Sequence, residues 1–196
     1  MGTYLVTTEY DEFVADCVES LKVLQNRSAS PALPASAKEL RERVRVTLQK
    51  ALRAGLLKTA HHDIFRLLEP VSPSEWREEG RSYEFSCGPI NDELKDPNSR
   101  DCLVRDDEAV LSFSVTVGER SGQAMLELIA YRFDLTFPTG AGIPFVRFDL
   151  DAPNKGHAKD GLRAHIHPGL AEGRLPSAIL DPVEAIHFLL VHLRQQ

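Results

Sequence analysis

Two histidines one residue apart, His165 and His167 of LRAHIHPG, stand just before a Pro-Gly turn. Strand alternation puts both imidazoles on one face. Upstream, VRFDLD alternates in the same way: Val146, Phe148 and Leu150 take one face, and Arg147, Asp149 and Asp151 the other. In LRAHIH the apolar set is Leu162, Ala164 and Ile166, which leaves Arg163, His165 and His167 on the polar side. If the two segments pair as a hairpin, their polar faces coincide. Two arginines, two carboxylates and two imidazoles then lie within about 5 to 8 Å of cross-strand neighbours. Arg132 and Asp134, one strand earlier, share the outward phase and extend the set.

Three readings of this face stay open. Two imidazoles with one or two carboxylates can ligate zinc, manganese or iron and leave coordination positions for water or substrate. Without a metal, one neutral and one protonated histidine can cleave a phosphodiester by general base and general acid catalysis. An arginine or Lys155 would then stabilise the developing charge. The third reading is a solvated sheet surface, where Arg–Asp pairs contribute about 0 to 1 kcal/mol each. The catalytic candidates are therefore His165, His167, Asp149, Asp151, Arg147 and Arg163. HIHPGLAE also matches the opening of a cupin metal motif, but the residues that follow it here are too few and too helical for that fold.

Other chemistry-bearing residues point elsewhere. His61 and His62 sit near a helix start, and His187 and His192 fall on a terminal helix, where packing or solvation explains them. Trp76 reads as a core or interface anchor. Cys87 has no cationic neighbour in sequence to make it a nucleophile. No P-loop, dinucleotide fingerprint, nucleophile elbow or HExxH is present.

The elements that must position the face follow from periodicity. TTEYDEFVADCVESLKVLQNR (7–27) reads as an amphipathic helix with Thr8 as its cap. After the Pro-containing loop 28–36, Ser36 and Glu39 form a capping box. Leu40, Val44, Leu48, Ala51 and Leu52 give the buried stripe behind it, and Gly55 ends that helix. A short helix around His62–Leu68 follows, and Ser72-Pro73 is expected to open another turn to about Glu79. The period then becomes two. AVLSFSVTV turns Leu111, Phe113, Val115 and Val117 inward, and AMLELIAYRFDLTF puts Ile129, Tyr131, Phe133, Leu135 and Phe137 on one face. The VRFDLD and LRAHIH strands follow. Asp181 caps a last helix with Pro182 at its first position. The expectation is α+β: a helical N-terminal region over 1–70, then a domain over 71–196 with a four- to five-stranded antiparallel sheet and a C-terminal helix.

Net charge is −6, and the acidity is uneven: residues 1–129 hold 16 Lys/Arg and 22 Asp/Glu, while residues 130–196 hold seven of each. A broad basic field of the kind that drives sequence-independent DNA binding is absent. The acidic N-terminal helices suit a protein partner, or a second copy of the chain in a homodimer. Three scattered cysteines are read as reduced thiols of a cytoplasmic protein. No window is apolar enough for a membrane span, and the N-terminus has no signal-peptide pattern.

The run RFDLDAP…HIHPG…DPVEAIHFLL resembles the TumE-like toxins of bacterial toxin–antitoxin pairs. The likeness rests on Arg147, Phe148, Asp149, Ala152, Pro153, His165 and His167, and spans about the last third of the chain. The chain differs from those toxins in its long helical N-terminal region. The resemblance implies a bacterial cytoplasmic protein with a partner encoded nearby, acting as an RNA-directed effector. The expected function is thus phosphodiester cleavage on the His/Asp/Arg face. The alternatives are a non-catalytic protein-binding module and a metal-dependent hydrolase.

Overall fold

A computed structural model describes residues 9–17, 19, 31–74, 81–90, 95–119, 124–153, 155–156, 158 and 161–193. Thr8, Trp76 and His157 lie outside them. Helix α1 (residues 9–17) buries Phe13 and Cys17, one turn apart. Helix α2 (Ala37–Arg53) begins at the expected cap, the Ser36 hydroxyl accepting the Glu39 N–H at 3.2 Å, which is one of the two bonds of the expected capping box. Its stripe Leu40, Val44, Leu48 and Ala51 is completely buried. Past its end Gly55 takes φ 73°, a left-handed conformation that costs glycine little, and the chain reverses there. Helix α3 (His61–Leu67) follows.

The sheet runs β1 (Ser72–Pro73), β2 (Arg81–Cys87), β4 (Val110–Glu119), β5 (Glu127–Thr136), β6 (Phe145–Leu150), β7 (Ala164–Pro168) and β8 (Leu175–Pro176), with β3 (Leu103–Val104) pairing β4. Every pairing is antiparallel. The class is α+β, as expected, but the sheet is larger than four or five strands. The additions β1, β3 and β8 are two residues each, too short to leave an alternating pattern. Ser72-Pro73 is one of them: it pairs with Glu84 and Tyr83, and the rest of the turn expected to about Glu79 lies mostly outside the described residues. Proline is compatible with such a place at a sheet edge.

One face of the sheet meets the helices. Phe113, Phe133, Leu135 and Phe148 share a single buried cluster with Phe13 of α1, the α2 stripe and Ile64 of α3. Helix α4 (Pro182–His187), continued by a π-helical turn Phe188–His192, adds Ala185, Ile186, Leu189 and Leu190. Its start follows the expectation and exceeds it. Asp181 accepts the Val183 N–H at 2.8 Å, and Glu184 reaches back to the Asp181 N–H at 2.8 Å. Its end is held by a residue with no sequence signature. Arg105, fully buried, donates to the carbonyls of Leu189 and Leu193, pairs with Asp107, and lies 5.7 Å from the Phe137 ring centroid.

Alternation fails at one point. A β-bulge between Thr116 and Val117 pairs Thr116 with Ala130 and Val117 with Leu128, so Ile129 is the extra residue. Leu128 takes the inward place expected for Ile129, whose side chain lies against Gly118. A Cβ there would meet Ile129 Cδ1 at 2.9 Å. No helix among the described residues is long and apolar enough to cross a membrane.

Candidate functional site

The sheet face turned away from the helices carries two cross-strand rows. One joins Ser114, Arg132, Asp149 and His165 across β4, β5, β6 and β7; the other joins Ser112, Asp134, Arg147 and His167. The hairpin expected between VRFDLD and LRAHIH forms, and Val146, Phe148 and Leu150 go to the core. Gly169, at φ 80°, directs the chain out of β7 and packs against Ile143 and Pro144, where a Cβ would come within 3.3 Å. The Pro-Gly turn after the histidines thus needs its glycine for both conformation and space.

The two rows converge on one oxygen. Asp149 Oδ2 accepts a 2.8 Å hydrogen bond from Arg147 Nε and lies 3.2 Å from His167 Nε2 and 3.8 Å from His165 Nε2. The two imidazole centroids are 5.0 Å apart. One potential ligand atom from each of Asp149, His165 and His167 lies within 4.8 Å of the other two. The histidines are only 1% and 2% exposed, so they do not sit on a solvated sheet surface. Burial depresses the His167 pKa, helped by the neighbouring Arg147 guanidinium and by His165, against the opposing pull of Asp149 and the Leu170 main chain.

Beside this centre lies a second carboxylate with different partners. Asp134, 2% exposed, accepts from Arg132 Nη2 at 2.8 Å and pairs with Lys95 Nζ at 3.1 Å. The sequence places Arg132 and Asp134 on this face but gives no sign of Lys95. That side chain arrives from the long polar loop after β2 and is completely buried.

Two expected members of the face do not join it. Arg163 spends its guanidinium on main-chain carbonyls: Asp151 at 3.0 Å, and Leu128 and Ile129 at 2.9 Å. The Asp151 carboxylate packs against Gly156 in the loop after β6. Both residues flank Leu150↔Ala164, the last full pair of these strands, and share one main-chain bond past it, Asp151 N–H to the Arg163 carbonyl at 2.8 Å. Lys155 is exposed in the same loop.

The remaining candidates take structural places. His61 is 3.2 Å from Gln49 Nε2 and packs edge-on to Phe65, while the His62 side chain is exposed. His192 lies tilted against Phe188, with ring centroids 5.6 Å apart. All three cysteines are buried and free of disulfides, and burial pushes the Cys17 and Cys87 thiols up to about 12. Comparison of the chain with protein-family models, curated proteins and solved structures finds no match.

Proposed function

We propose that the protein is a metal-dependent hydrolase in which Asp149, His165 and His167 hold one divalent transition-metal ion. The observation that carries this reading is the convergence of those three ligand atoms within 4.8 Å, from adjacent strands of one sheet. Ligands about 2.0 to 2.2 Å from a common ion stand about 3 to 3.5 Å apart. Asp149 Oδ2 and His167 Nε2 already have that spacing at 3.2 Å, and His165 Nε2 stands a little beyond it at 3.8 Å. Three protein ligands leave coordination positions open, as catalytic sites do and closed four-ligand structural sites do not. Arg147, bonded to the carboxylate, fixes the orientation of Asp149 from outside the ligand set. An ion bound there supplies Lewis-acid activation of water or of the scissile group.

The arrangement suits metal-free acid–base catalysis less well. That chemistry needs two imidazoles that reach opposite sides of a reacting group, one of them charged. Here both rings are buried and both Nε2 atoms face a single carboxylate oxygen.

Elemental analysis and manganese titration of protein purified without a histidine tag test the reading. One ion per chain is expected, lost in His165→Ala and His167→Ala variants that keep the wild-type circular dichroism. An ion retained at full stoichiometry in the double variant, or none in the wild type, overturns it.

A further inference from the structure

We infer that the group this centre takes from its substrate is an anionic phosphoester, with Arg147 as the residue that binds it. The inference rests on the metal reading above and adds the substrate class. It begins with charge. Lys95, Arg132 and Arg147 stand on this face against Asp134 and Asp149, among the described residues. Asp134 is already shared by Lys95 and Arg132. Once Asp149 is committed to a divalent ion, Arg147 and the ion together carry more positive charge than the carboxylate offsets. A neutral ester or peptide leaves that excess standing, whereas an anionic phosphoester offsets part or all of it.

Geometry points the same way. Arg147 uses Nε to bond Asp149, which leaves the terminal nitrogens of its fork for a second acceptor. The guanidinium carbon lies 5.7 Å from the Phe145 ring centroid, so an apolar surface supports it while it binds. The centre is also open on this side. The Asp149 and Arg147 side chains are 16% and 17% exposed, against 2% and 3% for the imidazoles, so a ligand approaches over β6. A phosphodiester presents two non-bridging oxygens on one tetrahedral atom, one for the ion and one for the arginine. A guanidinium fork next to a bound cation recognises that pattern.

The test uses full-length protein loaded with Mn²⁺ and titrated calorimetrically with inorganic phosphate, dimethyl phosphate and acetate. ³¹P line broadening reports whether the bound phosphorus sits beside the paramagnetic ion. Both phosphates should bind and broaden, and acetate, which also offers two oxygens to ion and fork but sets them closer together on a planar carbon than tetrahedral phosphorus does, should bind at least about tenfold more weakly. With Mn²⁺ held at a concentration that saturates each variant, because losing the bond that orients Asp149 weakens the ion, Arg147→Gln should lose at least about tenfold in phosphate affinity, with Arg147→Lys, which keeps the charge without the fork, falling between. Mn²⁺ binding without phosphate binding, or phosphate affinity unchanged in Arg147→Gln, overturns the inference and leaves the metal reading standing. Phosphate bound without Mn²⁺ and lost in Arg147→Gln does the reverse. Acetate binding as tight as phosphate overturns the phosphoester assignment. Should Arg147→Gln not fold, Arg147→Lys and the wild-type ³¹P broadening decide.

Discussion

Acidification from pH 7 to 4.5 should destabilise the protein through one imidazole outside the candidate centre. His187 ends α4, is 7% exposed, and packs edge-on to Phe13 of α1 with ring centroids 5.2 Å apart. Burial lowers its pKa to about 4, with Lys50 and His192 pushing in the same direction and Asp16 opposing. Unfolded, the same group titrates near 6.5. Between these values the unfolded chain binds a proton that the folded chain does not, so stability falls as pH falls. The contribution is whole above about pH 6.5, is lost across the window from 6.5 down to 4, and is constant below. A separation of about 2.5 units corresponds to about 3 kcal/mol in full, of which about 2 kcal/mol is gone by pH 4.5. Against a typical domain stability of about 5 to 15 kcal/mol that loss is easily measured. Urea unfolding of the wild type and of His187→Phe, which keeps an aromatic ring against Phe13, isolates the term from the carboxylates that titrate alongside. The wild type should lose about 2 kcal/mol more than the variant between pH 7 and 4.5. Parallel curves would show that the folded protein protonates His187 as readily as the unfolded chain does.

Two further outcomes test the packing around the sheet. Arg105→Met should cost about 3 to 5 kcal/mol in the same unfolding assay, because it removes the Arg105–Asp107 pair and leaves the Leu189 and Leu193 carbonyls without the guanidinium donor; a loss below about 1 kcal/mol would mean that water replaces the guanidinium. Cys17 and Cys87, buried with thiols near 12, should resist iodoacetamide at pH 8 in the native protein and react fully in urea, as mass spectrometry would show; rapid native labelling of Cys87 would contradict its burial.

What the sequence discloses about this fold divides along physical lines. Patterns closed over a few residues are legible. Asp181-Pro182 opens α4, Ser36 caps α2, and the matched alternation of VRFDLD and LRAHIH pairs β6 with β7 in the register that gathers Asp149 with both histidines. Where the determinant is non-local the pattern is silent. Ile129 carries the hydrophobicity of an inward residue, yet a bulge imposed by pairing with β4 displaces it. Lys95 looks like one more charge in a polar loop, and only the path of that loop over the sheet brings it to Asp134. Asp151 and Arg163 keep the phase of their strands in sequence, but the Arg163 guanidinium goes to three main-chain carbonyls at the margin of the sheet, which no local pattern announces. The burial of the two imidazoles has no local signature either, since alternation gives a direction and not a depth.

Both histidines come from one five-residue strand, two positions apart, and this makes the centre all-or-nothing. If β7 slips by a single residue against β6, His165 and His167 turn into the core together, and Ala164 and Ile166 replace them opposite Asp149 and Arg147. A one-residue slip keeps neither imidazole on that face. Arg163 opposes that slip, because its three carbonyl bonds tie the start of β7 to Asp151 and to the start of β5. A residue that touches none of the converging atoms therefore acts as the pawl that keeps the strand in step. Single-residue insertions or deletions between Asp151 and Arg163 can be absorbed as loop slack only while that pawl holds.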